Sequence, residues 1–272
     1  MNLLFSINRK FIPLWEQCMA TILRHGGAAH YDLYVLHSDL TGEDGARMQA
    51  ALRPQDSCTL VRVPDGLFEG FPETGRYPVQ IYYRLAAPLL LPEALNRILY
   101  LDVDTVVLNS LEPLYTSDFA GAAFMACSHT RKFLDKVNQA RLGLEDGVRY
   151  LNSGVLMMDL ALLRRTLRLE DIRDYAGRYK NRLILPDQDI LTGLFGDKAL
   201  VLDSRIYNMT DRLYVRCSAL PSERLSLDWV RQNTVVVHYL GKPKPWQKNY
   251  IGPLGVFYQE ELALTRAAAE EA

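Results

Sequence analysis

At 272 residues, with 49% hydrophobic and 23% charged side chains, the chain has enough apolar material for a substantial core, and many α/β enzymes of this size are one domain. Its 31 Lys plus Arg stand against 32 Asp plus Glu, which leaves no overall basic field, argues against a nucleic-acid partner, and requires any anionic ligand to be held locally. Cys18, Cys58, Cys127 and Cys217 lie far apart among apolar neighbours with no C-x-x-C pattern, so they read as buried thiols of a reducing compartment rather than a disulfide frame.

The first hundred residues alternate in type. Strand-like runs at Leu3 to Ile7, Asp32 to Ser38, Thr59 to Val63 and Arg97 to Val103 are separated by helical stretches near Pro13 to Arg24, Gly42 to Leu52 and Val79 to Leu90. That order predicts an α/β fold with a largely parallel sheet and crossover helices. Beyond it, Gly121 to Cys127 and Leu151 to Asp159 read as interior strands joined by a charged helical stretch containing Arg131, Lys132, Lys136 and Arg141. Leu160 to Arg182 reads as one helix whose arginines form a solvated face. Pro186 starts a short helix with Ile190, Leu191 and Leu194 on its buried side. Val235 to Tyr239 is a further strand, and Leu262 to Ala272 a fraying helix. No repeat or low-complexity segment is present.

The N-terminus opens directly on a strand, with no basic leader. No uninterrupted apolar run approaches the ~20 residues that span a bilayer. The chain therefore reads as cytoplasmic, and the tail, which lacks a basic amphipathic stripe, gives little support to peripheral membrane contact.

The chemistry concentrates in three places. Asp102-Val103-Asp104 falls where the run Arg97 to Leu101 gives out; in an extended strand the two carboxylates share a face and Val103 turns to the core. They form a clamp for a hard divalent cation with substrate phosphates, though on spacing alone a solvated turn fits too. His238 ends the strand Val235 to Tyr239, and Lys242 and Lys244 follow within Gly241-Lys242-Pro243-Lys244-Pro245-Trp246. A neutral imidazole beside two carboxylates suits Mn(II) better than Mg(II), and the lysines suit the phosphates. Ligands of parallel sheets bind beyond the carboxyl ends of the strands, where the acidic pair falls. The third place is Asp187-Gln188-Asp189, which reads either as a catalytic triplet or as the acidic first turn that a helix dipole favours. His25, His30 and His37 show no metal-ligand spacing; Trp15 reads as core and Trp246 as a lid.

In order along the chain, Phe5-Ser6-Ile7-Asn8, Tyr83-Arg84-Leu85, Leu99-Tyr100-Leu101-Asp102-Val103-Asp104, Tyr150-Leu151-Asn152-Ser153-Gly154-Val155-Leu156, Asp187-Gln188-Asp189-Ile190-Leu191 and His238-Tyr239-Leu240-Gly241 with Lys244-Pro245-Trp246 resemble glycosyltransferase family 8. These are retaining enzymes that include bacterial lipopolysaccharide galactosyl- and glucosyltransferases and glycogenin. The resemblance implies a GT-A fold, with a Rossmann-like, mixed, mostly parallel sheet flanked by helices. It also implies a catalytic domain over residues 1–250, with 251–272 as a C-terminal helix or tail.

For activity, the resemblance implies transfer of glucose or galactose from a UDP-sugar to a hydroxyl of a glycan or glycolipid acceptor, with Mn(II), or else Mg(II), as cofactor. Asp102, Asp104 and His238 would be the metal ligands. Lys244 and Gly241 would contact the diphosphate, Arg84 the donor sugar or its phosphate, and Asn152, Ser153, Asp187 and Gln188 would line the sugar pocket. Gln188, Asp187 and Asn152 would carry the catalysis. Ser6, Ile7 and Asn8, with Val103, would hold the uridine. Asn8 is a neutral amide where bacterial relatives often have an acid; it can still accept from the uracil imide but discriminates less between bases. His129 stands where the galactosyltransferase branch has an aspartate. The same ion and diphosphate would also serve a metal-dependent nucleotide-sugar hydrolase or nucleotidyltransferase, which releases a nucleoside monophosphate, or a catalytically silent UDP-sugar binding protein, which releases nothing. Hexose and acceptor choice fall to the loops between Gly66 and Pro78 and between Ser128 and Tyr150.

Overall fold

A computed structural model describes residues 1–73, 78–219 and 225–271. Nine strands are present among them: β1 (Asn2–Ser6), β2 (Asp32–His37), β3 (Ser57–Arg62), β4 (Arg97–Leu101), β5 (Thr105–Val107), β6 (Phe124–Cys127), β7 (Val155–Asp159), β8 (Ala199–Leu202) and β9 (Val236–His238). They build a seven-stranded sheet in the order β3-β2-β1-β4-β7-β6-β8 and a two-stranded sheet of β5 and β9. In the large sheet β7 alone runs against its neighbours β4 and β6; the other pairs are parallel. The sheet is thus mixed and mostly parallel.

The chain forms two compact units, one of Met1–Lys10, His30–Leu101 and Ser117–Leu202, the other of Phe11–Ala29, Asp102–Thr116 and Asp203–Ala272. The first holds the large sheet. Ile98, Leu99, Tyr100 and Leu101 of β4 are all fully buried, as expected of an interior strand covered on both faces, whose apolar run is continuous rather than alternating. Leu4, Leu36, Tyr100, Leu156 and Ile190 share one core with the aromatic group Phe68, Phe71, Tyr82 and Tyr83. Thr41 and Asp44 close a capping box on the helix Gly42–Ala50. The helix Lys132–Leu142 stops at Gly143, whose φ of +65° is left-handed and whose Cβ position is taken by the Tyr179 hydroxyl.

In the second unit, Val106, Val237, Met209, Leu213, Tyr239, Leu254, Phe257 and Tyr258 form a separate core. The helix Ile12–His25 presents Trp15, Cys18, Met19 and Ile22 as its buried face, and Thr21 Oγ1 accepts the Val107 amide at 3.0 Å. Glu261 of the C-terminal helix Gly255–Glu271 is held by Arg24 and by His25 at 2.9 Å.

Several expected boundaries move, each for a local reason. The strand before the acidic pair ends at Leu101, so Asp102-Val103-Asp104 is a bend and Val103 is half-buried rather than turned to the core. Thr105 Oγ1 closes that bend on the Asp102 carbonyl at 2.7 Å. Asn152-Ser153-Gly154 precedes β7 instead of lying within it. The stretch Val79 to Leu90 is a tight 3-10 helix, Val79–Ala86, followed by one α turn, Ala87–Leu90. Leu160 to Arg182 splits at the extended residues Leu167 and Arg168 into Leu160–Thr166, Leu169–Tyr179 and a 3-10 turn. Arg164 is not a solvated side chain: it donates to the carbonyls of Pro88, Leu95 and Pro92 at 3.0, 2.6 and 2.7 Å. Cys58 is half-buried, while the other three thiols are buried, and none of the four is in a disulfide. Among the described residues no helix is long and apolar enough to cross a membrane. Residues 74–77 of the loop between Gly66 and Pro78, and Ala272 of the tail, lie outside the described residues.

Candidate functional site

Asp102, Asp104 and His238 come together within the second unit, each offering one ligand atom and all three atoms lying within 4.8 Å of one another. The bend after β4 supplies the carboxylates. The last residue of β9 supplies the imidazole, and pairing of Thr105 with His238 across the small sheet sets them side by side. His238 Nε2 stands 3.3 Å from Asp104 Oδ1 and 3.7 Å from Asp102 Oδ2.

His238 is almost wholly buried. Its Nδ1 pairs with Asn208 Oδ1 at 3.0 Å. An amide oxygen only accepts, so that bond assigns the proton to Nδ1 and leaves the Nε2 lone pair facing two carboxylates. Nε2 is buried without a hydrogen-bond partner. A lone pair aimed at two anions is a repulsive arrangement by itself and a favourable one around a cation, so this donor set fits a divalent metal. Lys244 Nζ bonds Asp104 Oδ2 and donates to the Tyr239 carbonyl at 2.5 Å. Burial works to raise the Asp104 carboxyl; a protonated His238, and then Lys244, would outweigh burial and hold it well below the usual carboxylate range, and a bound cation would do so in the proton's place. Gly241 turns the chain between β9 and Lys244 at φ +80°, a conformation that disfavours any side chain.

A second cluster lies in the first unit. Arg84 is buried on the 3-10 helix, its guanidinium 4.4 Å over the Tyr100 ring. It donates to the carbonyls of Ile81 and Ser153 at 3.0 and 2.8 Å and stands 3.7 Å from Asp187 Oδ2. Ser153 Oγ donates to the same Asp187 oxygen at 2.6 Å. Asn152 Nδ2 donates to Gln188 Oε1 at 3.0 Å. Of the triplet Asp187-Gln188-Asp189, only Gln188 keeps a partly exposed side chain.

Asp189 belongs to the scaffold. It is fully buried and accepts both Arg141 Nη groups, at 2.8 and 2.7 Å, the Tyr150 hydroxyl at 2.6 Å, and the Ile184 and Leu185 amides at 2.6 and 3.2 Å. Burial and the neighbouring Asp189 push the Tyr150 phenol far up, which keeps it a donor.

At the end of β1, Ser6 Oγ donates to the Gln80 carbonyl at 2.8 Å, which ties it to the helix that carries Arg84. Ile7 is buried, and Asn8 Oδ1 is buried without a partner. Two residues escape a reading of the sequence. Asn208, which orients His238, follows the short helix Ser204–Tyr207 and carries no pattern of its own. Arg149, 2.8 Å from buried Asp135, sits in an unremarkable loop.

The mixed, mostly parallel seven-stranded sheet flanked by helices is that of the GT-A fold. The galactosyltransferase LgtC, solved in complex with donor and acceptor sugar analogues, superposes with a TM-score of 0.81 over 97% of this chain and 95% of its own at 25% identity. The chain belongs to glycosyl transferase family 8, whose model matches residues 2–250, and it is a glycosyltransferase. Lipopolysaccharide 1,2-glucosyltransferase of Escherichia coli K12 is 25% identical over 269 residues, 95% of this chain and 76% of that one. General stress protein A of Bacillus subtilis is 25% identical over 245 residues, 86% of this chain and 82% of the other.

Proposed function

We propose that the protein is a retaining hexosyltransferase that moves glucose or galactose from a UDP-sugar to a hydroxyl of a glycan or glycolipid acceptor, with Mn(II) as cofactor. The observation that carries this reading is the unpartnered Nε2 of His238 between Asp102 and Asp104. In this reading the catalytic domain is residues 1–250, with 251–272 as a C-terminal helix. Asp102, Asp104 and His238 hold the metal, which when bound supplies Lewis-acid stabilisation of charge on the diphosphate. Lys244 exchanges its bond to Asp104 for the diphosphate, and the backbone at Gly241 approaches the same group. Asn8 accepts the uracil imide proton at its free Oδ1, with Ser6, Ile7 and Val103 around the nucleoside.

Arg84, Asn152, Ser153, Asp187 and Gln188 take the hexose. As the bond from the anomeric carbon to the phosphate oxygen breaks, its electron pair leaves with UDP and positive charge grows on the ring. Asp187 is already engaged by Ser153 and Arg84, which makes it a poor nucleophile. Gln188, partly exposed and oriented by Asn152, offers a carbonyl dipole to the developing cation. These contacts favour front-face attack: the acceptor oxygen bonds the anomeric carbon from the side the phosphate leaves, and its proton passes to the departing phosphate oxygen.

The test is incubation with UDP-glucose and UDP-galactose, Mn(II) and water or simple glycoside acceptors, followed by measurement of nucleotide and sugar products. UDP with retained configuration at the transferred carbon is the expected result. Uridine monophosphate would overturn the reading in favour of attack at phosphorus, and Mn-dependent binding without turnover would reduce the protein to a donor-binding module.

A further inference from the structure

A surface helix ordinarily turns apolar residues inward and polar ones outward. The helix Lys132–Leu142 does the reverse along its first two turns. Phe133 is 74% exposed, Leu134 47% and Val137 48%, and exposed Ala140 extends the same face. Phe133 and Val137 stand four residues apart, one above the other.

The carboxylate of this stretch is turned in instead. Asp135 is 3% exposed; its Oδ1 accepts the Tyr150 amide at 3.1 Å and the Thr130 hydroxyl, and its Oδ2 lies 2.8 Å from Arg149 Nε. What remains outside beside the apolar side chains is cationic, Arg131 and Lys136, both exposed.

We propose that Phe133, Leu134 and Val137, flanked by Arg131 and Lys136, form a docking patch for an anionic lipid surface. Three apolar side chains on one short helix fall far short of the roughly 800 Å² per partner that a stable protein interface buries. They suit shallow insertion beneath headgroups, where apolar contact and a few cations act together. Inward placement of Asp135 removes the one charge of this helix segment that an anionic surface would repel. The helix follows the end of β6, where the Asn152 amide donates to the Cys127 carbonyl at 2.8 Å. The docking does not rest on the transferase reading.

The experiment is flotation of the whole protein with vesicles of phosphatidylcholine alone or with added phosphatidylglycerol, without nucleotide or metal. The expected result is binding to the anionic vesicles only, weakened by salt. Phe133→Ser with Val137→Ser should lower it about tenfold or more, since each such side chain contributes on the order of 1 kcal/mol when partly buried. Arg131→Glu with Lys136→Glu should abolish the preference for anionic vesicles. A Phe133→Trp variant should show a blue-shifted emission with anionic vesicles and none with neutral ones. Unchanged melting temperature separates loss of docking from loss of fold. Absence of binding to either vesicle, binding indifferent to both pairs of substitutions, or a dimer in light scattering that Phe133→Ser disperses would overturn the proposal, the last by assigning the face to a second copy of the chain.

Discussion

The two side-chain clusters differ in how completely they satisfy themselves. In the first unit Arg84, Ser153, Asp187, Asn152 and Gln188 are knitted to one another, and Asp189 below them accepts from three side-chain donors and two amides. In the second unit His238 Nε2 is buried, unpartnered, and aimed at two carboxylates. An unmet buried polar atom costs about 1–3 kcal/mol, and in the proposed reading a bound cation would offset that cost at His238. In that reading the first cluster holds a shape and the second takes up charge.

The sharpest way to break this contrast is Asp104→Ala. Asp104 is partly exposed and lies in the bend, outside both cores, so the fold should persist. Mn(II)-dependent nucleotide affinity, read by calorimetry or by the paramagnetic signal of free Mn(II), and transferase turnover should both fall by about a thousandfold. Turnover equal to that of the unaltered enzyme would remove the metal site from the argument.

Asp189→Ala should act on the other side of the comparison, through stability. It would strand the Arg141 guanidinium, only 15% exposed, with the Tyr150 hydroxyl and two amides. Breaking a buried pair of this kind costs about 3–5 kcal/mol, which for a chain of this size corresponds to a melting temperature lower by roughly 10 °C. A melting temperature within a degree or two of the original would show that Asp189 is not the scaffold residue its contacts describe.

Gln188→Ala is the smaller, more diagnostic change within the first unit. If its carbonyl faces charge that develops only in the transition state, turnover should drop about a hundredfold while donor affinity hardly moves. Equal losses in both would make it a binding residue instead.

How much of this was legible beforehand follows from what each feature depends on. The parallel strands β1, β2 and β4 were readable because interior strands are unbroken apolar runs bounded by turn residues, and the acidic pair, His238 and Lys244 because they stand at or just beyond the ends of such runs. The sheet's antiparallel member β7, and the pairing of β5 with β9, depend on contacts between residues 30 to 133 positions apart, which no local pattern carries. Strand alternation was the wrong reason for the convergence of Asp102 and Asp104: β4 stops at Leu101 and a bend does the work. Arg164 misled because an arginine on a helix looks solvated, whereas the carbonyls it caps belong to the distant loop around Pro92. Asp187 and Asp189 have the same side chain two residues apart, and only the positions of Arg141, Tyr150 and Ser153 separate their roles.

Asn208 tests the finest level of the same comparison, the one group that makes the unsatisfied cluster unsatisfied in the right direction. It is fully buried, and its own segment is brought to β9 by the Met209 amide, which donates to the Val236 carbonyl at 2.9 Å. By accepting from His238 Nδ1 it keeps the Nε2 lone pair available. Outer partners of ligating histidines are typically worth 10–100-fold in metal affinity. Asn208→Ala should therefore weaken Mn(II) binding by about that factor without nucleotide present, and Asn208→Asp, which keeps an acceptor at the same place, should restore most of it. If the alanine and aspartate variants lose affinity equally, Asn208 acts by packing, and the orientation of His238 must come from its place at the end of β9 alone.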